Sequence, residues 1–366
     1  MKVITYVFTT GRKASIINLN NGALDFYYGS TLLDSEKYNV QILEFKNSFS
    51  IFARTLNRLE YYLSKLISLP LNFSKIISKS NYEVLKKSDH IIFVSESTAL
   101  STLPMLLLLK SYNIKTSLFV MGLFSKKINF KSLKFLHNFY IRLVINAIDN
   151  IFFLGKGELN LAKKIYPNEQ KFIFFPFCID TKFWSCETRD IKEKRQILFV
   201  GNDGNRNFQL LHKIIKIMPN YDFKVLTNNK EHSFANLKNV EFLDGSWSKK
   251  AVTDIELRKI YKESLLTILP LKNSFQPSGQ SVALQSIATG TPVLISKTKG
   301  FWDGDLFNDK SEIFFTKSDR EIDWKQQIED IVHNEFLRKD ISKKGKNLIL
   351  EEYTLEKFLL QLEQYL

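Results

Sequence analysis

The peptide SGQSVALQ at 278–285 has residue types and spacing that suit an anion with a hydroxyl group beside it. Gly279 lets a ligand approach the backbone closely, and a helix that begins directly after it leaves N–H groups free near Ser281 and Val282. Those N–H groups and the helix dipole favour a bound anion. Gln285 lies on the same face as Ser281, one turn along, where its amide reaches an adjacent hydroxyl. A phosphate attached to a ribose fits both positions.

An ordinary crossover from strand to helix, with a solvated Gln285, has the same spacing. The spacing by itself therefore leaves both interpretations open. Whether the peptide faces a cleft depends on the strands and helices before and after it. The composition of the chain and the order of its predicted strands and helices indicate what those elements are.

The composition is that of a globular protein with room for two hydrophobic cores. The chain has 366 residues, of which 44% are hydrophobic and 13% aromatic. Its longest uncharged apolar run, at 103–109, is far shorter than the ~20 residues that span a bilayer. The first residues lack the apolar segment of a signal peptide, so we expect a cytosolic protein. Cys178 and Cys186 are too few for a disulfide framework, and no cluster has metal-ligand spacing.

Positive charge is concentrated in the first part of the chain. Residues 1–150 carry 19 Lys and Arg against 9 Asp and Glu, which accounts for most of the formal net charge of +14. A basic half implies an anionic partner for that half, such as an acidic membrane surface, a diphosphate-linked acceptor or a nucleic acid.

Apolar, β-rich runs alternate with helical stretches, which predicts an α/β fold with parallel sheets. The predicted strands of the first half are 3–9, 39–45, 90–95, 116–122, 150–155 and 172–177, with helices over 24–36, 50–69 and 130–148. The predicted strands of the second half are 196–202, 223–228, 240–244, 265–270, 292–296 and 312–316, with helices near 206–218, 254–264 and 280–289.

This order of elements predicts two doubly wound, Rossmann-like domains that face each other across a cleft, with helices at the C-terminus. We place the first domain at 1–185, the second at 190–345 and a C-terminal helix that crosses back to the first domain at 346–366. Parallel sheets bind ligands at the carboxyl ends of their strands, so the cleft is the expected site.

The peptide SGQSVALQSIATGTPVLIS at 278–296 resembles the donor-binding helix of the group 1, or family 4, glycosyltransferases, which have the GT-B fold. The family pattern there is Glu-x7-Glu followed by Ala-Met-Ala-x-Gly-x-Pro-Val and two apolar residues. Other segments resemble the family in the same order, at 175–184, 197–211, 239–245, 253–271 and 347–364. The resemblance covers the second half in register, whereas in the first half only 24–45 is similar, and loosely.

The resemblance implies roles for residues of the 278–285 peptide and those just before it. In the family, the first Glu contacts the transferred sugar and the second contacts the ribose. Gln285 stands at the second position, where it implies a neutral ribose clamp that does not repel the diphosphate. Pro277 stands at the first position, so Gln276, Ser278 or Gln280 would have to contact the sugar.

The family's Arg and Lys pair, which neutralises the diphosphate, is reduced in this chain. Asn202 stands at the Arg position and Arg206 at the Lys position, so Arg206 is the remaining cation. Asn202, Gly204 and Asn205 form either a turn beside the phosphates or a simple turn, and Gly201 is a further candidate for donor binding. The His that usually follows the fourth strand of the first domain is absent, because Met121 occupies that region.

The resemblance implies transfer of a sugar from a nucleotide-diphosphate sugar with retention at the anomeric carbon, with no metal and no cofactor besides the donor substrate. Arg206 and the start of the helix would stabilise the leaving diphosphate. If a carboxylate is required, Asp25 and Glu96 are the acids of the first half best placed, or they are capping residues. The catalytic candidates are Arg206, Gln276 and Glu96.

The acceptor is expected to bind the first half. Gly11 and Arg12 follow its first strand and either contact the diphosphate or acceptor or form a basic loop. Basic and apolar residues interleave over 54–79 and 124–148, as in helices on an anionic membrane and in solvated helices packed on a sheet. We expect a glycan or lipid-linked acceptor in polysaccharide or lipopolysaccharide synthesis, with the protein cytoplasmic or peripheral on the inner face of the plasma membrane.

Three other functions fit parts of the sequence. A relative of the same fold that binds a nucleotide sugar or glycan without turnover would account for the lost family residues. A phosphorylase or epimerase also fits, because one fold hosts several chemistries. Nucleic-acid binding rests on charge alone, since the sequence has none of the compact motifs for it.

Overall fold

The structure, a computed structural model, describes residues 1–17, 22–46, 51–126, 128, 130–185, 196–229, 234–246 and 251–366. All twelve predicted strands are present in these ranges and form two parallel sheets of six strands each. This confirms the expectation of two doubly wound units. The predicted boundary between the two domains, at 186–189, lies outside the described residues.

The first sheet contains the strands of the first half in the order β2-β1-β3-β4-β5-β6. Several of them are apolar along their whole length because helices cover both faces of the sheet, and every residue of the third strand is buried. The bounds are β1 Lys2–Phe8, β2 Tyr38–Glu44, β3 His90–Phe93, β4 Lys115–Val120, β5 Asn150–Phe153 and β6 Phe172–Phe174.

The second sheet has the order β12-β11-β10-β7-β8-β9. Counted from its own first strand, this is the 3-2-1-4-5-6 order of dinucleotide-binding sheets. The bounds are β7 Gln196–Val200, β8 Asp222–Thr227, β9 Val240–Asp244, β10 Ser264–Leu269, β11 Val293–Ser296 and β12 Phe314–Thr316.

Helices connect the strands on both faces of each sheet. Those of the first half and the connector are α1 Arg12–Ile17, α2 Ile51–Ile67, α3 Phe73–Ile76, α4 Lys79–Lys86, α5 Glu96–Leu109, α6 Lys134–Ala147, α7 Lys156–Ile165 and α8 Thr181–Ser185. Those of the second half are α9 Phe208–Lys216, α10 Asp254–Lys262, α11 Gln280–Ala288, α12 Glu321–His333, α13 Glu335–Glu352 and α14 Leu355–Glu363. In the described part of the chain, none of them combines the length and apolar character that crossing a membrane requires.

The predicted helix over 24–36 is wrong. A single 3-10 turn, Asp25–Tyr27, is followed by turns, because Tyr28 and Gly29 have φ values of 50° and 77°. These left-handed conformations interrupt an α-helix. A Cβ on Gly29 would also lie 3.1 Å from Leu359 Cδ2, so this segment is shaped by packing against the C-terminal helix rather than by its local pattern.

The last helix packs against the first sheet. The Phe358 ring of α14 lies 5.8 Å from Phe119 and 4.8 Å from Phe175, and the Tyr365 ring lies 5.1 Å from Phe152. Lys2 Nζ donates to the backbone carbonyl of Leu366 over 2.8 Å. The end of the chain is therefore fixed on the first half, although the helices just before it follow the second sheet.

The carboxyl-end loops of the two sheets face each other. Gln280 Nε2 of the second half donates to the Leu154 carbonyl after β5 over 3.2 Å. The Lys156 backbone N–H donates to the Trp302 carbonyl over 2.8 Å, and Lys156 Nζ also contacts the Asp303 carboxylate. Ligands of parallel sheets bind at these strand ends, so the site is expected between the two sets of loops.

Candidate functional site

The second sheet reverses its strand order between β7 and β10, and two loops meet at this switch point. The loop after β7 and the loop after β10 are joined by backbone bonds from Asn207 N–H to the Pro270 carbonyl and from Lys272 N–H to the Asn205 carbonyl, both 2.8 Å. Asn205 Nδ2 also donates to Ser278 Oγ over 2.9 Å. The two predicted donor-binding segments therefore form one continuous structure.

Helix α11 begins at the position expected from the sequence. Gly279 precedes it with φ 78°, a conformation that favours glycine, and as the N-cap residue it has no side chain that could cap the first turn. The first N–H groups of α11 are therefore available to a ligand. Ser278 and Gln280 are buried at this helix head, and Val282 belongs to the hydrophobic core. Ser281 is half-buried.

Arg206 is buried at the head of α11, with only 3% of its surface exposed. A Cβ on Gly201 would lie 2.1 Å from Arg206 Nε, and one on Gly279 would lie 3.4 Å from Arg206 Nη1. The guanidinium therefore occupies space that these two glycines leave open.

The hydrogen-bonding capacity of Arg206 is largely unused. Asp203 Oδ2 lies 3.0 Å from Nη1, but among the described residues neither Nε nor Nη1 has a partner in hydrogen-bond geometry. Burial lowers the pKa of Arg206, since a charged guanidinium is poorly solvated there. Unpaired buried donors are costly, so an anion at this position would satisfy a need that the folded chain leaves open.

Asn202 uses its side chain within the second half. Its Nδ2 donates to the Gly245 carbonyl over 2.6 Å, and its Oδ1 accepts from the Asn228 N–H over 2.7 Å. These bonds tie the loop after β7 to the loops after β8 and β9. A contact from Asn202 to the donor stays a prediction.

Gln276 and its neighbours reach the first half. A Cβ on Gly122 would lie 2.8 Å from Gln276 Cδ, and one on Gly155 would lie 2.9 Å from Pro277 Cβ. The structure thus brings Gln276 against the loop that follows β4, where the family has its His. A sugar contact from Gln276 stays a prediction.

Gln285 has a different set of partners from the one its spacing suggests. It is 2% exposed, its Nε2 donates to Asp25 Oδ2 over 2.7 Å, and its Oε1 accepts from the Tyr261 hydroxyl over 3.3 Å. Both ends of the amide are therefore engaged inside the protein. The ribose contact of Gln285 stays a prediction.

Gly11 and Arg12 lie in the loop after β1. Gly11 has φ 100°, and none of the described residues lies within 4 Å of the position that its Cβ would take. The Arg12 guanidinium lies over the Phe26 and Tyr27 rings, at 5.4 and 6.0 Å from their centroids.

Two acids of the first half hold the loop after β4. Glu96 is the first residue of α5, where it pairs with Lys126 over 3.3 Å and accepts from the Met121 N–H over 3.3 Å. Glu158 accepts from the N–H groups of Gly122 and Phe124 over 2.8 and 2.9 Å. Burial, reinforced by the nearby Glu96 carboxylate, raises the pKa of Glu158 to about 8.

Sequence reasoning missed Glu158, which accepts from the N–H of Gly122, the residue that lies against Gln276. The available signal was an acid in the first turn of a helix that directly follows a buried strand. That signal is equally typical of a solvent-exposed residue, so it gives no reason to expect burial.

No protein-family model and no curated protein matches this sequence. Solved structures match its fold along the whole chain. Sucrose-phosphate synthase from Thermosynechococcus elongatus has a TM-score of 0.68 at 12% identity, covering 100% of this chain and 98% of that one. HepE from Anabaena in complex with UDP-glucose has a TM-score of 0.67 at 10% identity, covering 100% and 99%. A glycosyltransferase from Rickettsia africae has a TM-score of 0.64 at 12% identity, covering 100% and 97%.

These neighbours identify the architecture as GT-B, as the resemblance implied. The sequence identities are too low to carry more than the fold. What the site can do chemically follows from its own groups: a buried cation, a free helix start and a loop from the opposite half.

Proposed function

We propose that the chain is a glycosyltransferase that moves a sugar from a nucleotide-diphosphate sugar to a glycan or lipid-linked acceptor with retention of configuration. The observation that carries the proposal is the buried guanidinium of Arg206 beside the start of α11; it forms an ion pair with Asp203, but its Nε and Nη1 make no hydrogen bond among the described residues. A fixed cation and aligned N–H groups match a diphosphate. In the neighbour HepE, UDP-glucose is bound to the same fold.

The proposed reaction uses this anion site to stabilise the leaving group. The bond between the anomeric carbon and the diphosphate breaks, and the charge that develops on the diphosphate is stabilised by Arg206 and α11. The acceptor hydroxyl attacks from the same side and gives its proton to the leaving phosphate oxygen. The proximity of Gln276 to Gly122 supports a contact from Gln276 to the sugar. Glu96, which accepts from the Met121 N–H, is the carboxylate proposed to act if the reaction requires one.

Thermal-shift measurements with UDP, GDP, ADP and their sugars test the donor. A nucleotide at one hundred times its dissociation constant should stabilise the protein by about 2.7 kcal/mol. Arg206→Met should abolish the shift, and Lys343→Met, at an exposed cation on α13, should keep it. The proposal fails if none of these nucleotides stabilises the wild-type protein.

A non-catalytic nucleotide-sugar or glycan-binding relative is the second candidate. Pro277, Gln285 and Asn202 stand where the family has charged residues, so binding without turnover is chemically reasonable. Release of labelled sugar from the nucleotide that binds best, including slow hydrolysis without acceptor, separates the two. Binding with no turnover for any acceptor supports the second candidate.

We also propose that the protein is cytoplasmic and lies on the inner face of the plasma membrane through its first half. Leu59, Tyr62, Leu63 and Leu66 are exposed at helical spacing on α2, and Phe135 and Phe139 are exposed on α6. His137 of α6 bonds the Ile67 carbonyl of α2 over 2.6 Å, so the two helices adjoin. Exposed Arg58, Lys65, Lys134 and Arg142 accompany these apolar residues, as on surfaces that bind anionic lipid.

Co-sedimentation with phosphatidylglycerol–phosphatidylcholine vesicles tests this surface. Leu63→Gln with Phe139→Gln should reduce binding severalfold, because apolar area is lost without a change of charge. Phe336→Gln, at a residue 85% exposed on α13, is the matched control and should bind as the wild type does. Equal binding to neutral and anionic vesicles would rule the membrane proposal out.

A further inference from the structure

A buried carboxylate joins the first half, the connector and helix α11. Asp25 is 2% exposed, and three groups donate to it: the Asp180 N–H over 2.6 Å, Trp184 Nε1 over 2.8 Å and Gln285 Nε2 over 2.7 Å. Asp25 belongs to the segment after α1, Asp180 and Trp184 to the connector, and Gln285 to the second half. One side chain therefore links all three parts of the molecule.

The orientation of the Gln285 amide is fixed by its two partners. The Asp25 carboxylate accepts hydrogen bonds, so it selects the NH2 end of the amide, and the Tyr261 hydroxyl donates to the carbonyl end. Tyr261 is fully buried on α10, and Trp184 packs against it with ring centroids 5.9 Å apart. The amide is thus bonded at both ends in a region closed to water.

These contacts explain why residue 285 is an amide and not an acid. A Glu at this position would bring a second carboxylate oxygen to within hydrogen-bond distance of Asp25. Two carboxylates in a buried site cannot both stay ionised without a large cost, so one would have to take a proton. The neutral amide instead supplies the donor that Asp25 needs.

We propose that Asp25 is a positioning residue for nucleotide binding, which acts by holding Gln285 and with it helix α11 against the first half. This inference rests on the proposed function, because its consequence is measured at the diphosphate site. Gln285 lies six residues after Gly279, so about 9 Å of rigid helix separates the Asp25 contact from the free N–H groups. A small change in the depth or tilt of α11 moves those groups and Arg206 relative to each other.

A double-mutant cycle tests the contact between Asp25 and Gln285. The ligand is UDP, and its affinity for each variant is measured by isothermal titration calorimetry. Asp25→Asn and Gln285→Glu should each weaken UDP binding by roughly tenfold, since each removes or opposes a bond to a buried charge. The combined variant should bind UDP more tightly than the product of the two single losses predicts, because an Asn at 25 donates to a Glu at 285. Recovery should be incomplete, because Trp184 Nε1 donates to the same oxygen of Asp25 and would lose its acceptor. The inference is overturned if the combined loss equals the product of the two single losses, or if neither single variant weakens binding.

Trp184→Phe separates positioning from general destabilisation. It removes one donor to Asp25 and leaves the Gln285 contact in place, so the melting temperature should fall while UDP affinity changes less than about twofold. If Trp184→Phe weakens UDP binding as much as Asp25→Asn does, the effect is a general one and positioning is wrong.

The failure of the proposed function has a different signature. If the wild-type protein binds none of UDP, GDP and ADP, both the anion site and the positioning role are wrong, whatever the melting temperatures show. If the wild type binds one of them and the single variants bind it equally well, only the positioning role is wrong.

Discussion

In each sheet, the strand at which the strand order reverses is followed by a loop that contains a glycine and an arginine. The loop after β1 contains Gly11 and Arg12, and the loop after β7 contains Gly201 and Arg206. The two loops differ in the contacts that hold the arginine. Arg206, after β7, is 3% exposed, lies under Gly201 and Gly279, and pairs with Asp203, while its Nε and Nη1 make no hydrogen bond among the described residues. Arg12, after β1, is half-buried and lies over two aromatic rings, and no described atom lies within 4 Å of the Cβ position of Gly11 beside it. The arginine of the second half is therefore held by burial and an ion pair, and that of the first half by ring contacts. Under the proposed function, the first would bind the diphosphate and the second would adjoin the acceptor.

Replacing each arginine separately should give the largest difference between the two loops. Arg206→Met should weaken UDP binding by roughly 100-fold, because two charge-assisted bonds to phosphate are lost. Arg12→Met should weaken it by less than about threefold. Isothermal titration calorimetry measures the UDP affinity of both variants. Similar losses of affinity in both would show that the two loops share the diphosphate.

Protein stability should respond to Arg206→Met in the opposite direction from affinity. The guanidinium is buried without a full set of partners, so replacing it with an apolar side chain of similar length removes a desolvation cost. The midpoint of urea unfolding should stay equal or rise. A clear fall in the midpoint would mean that Arg206 stabilises the fold and is not held ready for a ligand.

Gly201→Ala disturbs the same arginine without removing it. The new Cβ would lie 2.1 Å from Arg206 Nε and must displace the side chain, so UDP affinity should fall by roughly tenfold. Gly204→Ala is the matched control in the same loop, because no described residue lies within 4 Å of its Cβ position. Equal affinity of the two variants would argue that Arg206 does not need its present position.

A buried acid of the first half, Glu158, should make the free energy of unfolding depend on pH. The pKa of Glu158 is raised to about 8 in the folded protein, above its ordinary value of 4.5, so the folded state binds the proton more tightly than the unfolded state does. The stability that this proton linkage supplies is fully present below about 4.5 and is lost as the pH rises through about 8. The slope is at most about 1.4 kcal/mol per pH unit.

Glu158→Gln should remove this part of the slope. Urea unfolding of wild type and variant at pH 5 and pH 8 measures the difference, and the variant should lose less stability on going to pH 8. Asp25, whose pKa burial raises to about 7, contributes in the same direction but is present in both proteins. Parallel curves for the two proteins would show that Glu158 is not the titrating group.

Much of the fold could be predicted from the sequence, because its strands are apolar runs separated by clear breaks. All twelve strands were located to within a few residues, and α11 begins where its glycine predicts. The prediction of a helix over 24–36 is wrong because the apolar spacing fits a helix, whereas Tyr28 and Gly29 adopt left-handed conformations. Local pattern carries no information about the distant α14 residues that pack there.

The candidate site was predictable only in part, for a related reason. The free helix start depends on adjacent residues, so the sequence shows it directly. The contact between Asp25 and Gln285 joins residues 260 positions apart, and the burial of Arg206 depends on glycines of two separate loops. A sequence shows which residue types are present but not which distant groups satisfy them. The spacing of Gln285 therefore predicts a ligand hydroxyl as its partner, whereas the structure bonds its amide to Asp25 and Tyr261.

Gly11→Ala gives the smallest expected effect and the finest test of the comparison. Its φ of 100° makes any side chain strained there, at a cost of about 1 kcal/mol or more, but the Cβ would meet no described atom within 4 Å. A slight fall in the melting temperature is therefore expected, with UDP affinity changed less than about threefold. The same measurement on Gly201→Ala gives the contrast, because there the substitution acts through Arg206. A loss of UDP affinity in Gly11→Ala as large as in Gly201→Ala would place the β1 loop on the diphosphate and remove the distinction between a fixed donor side and an adaptable acceptor side.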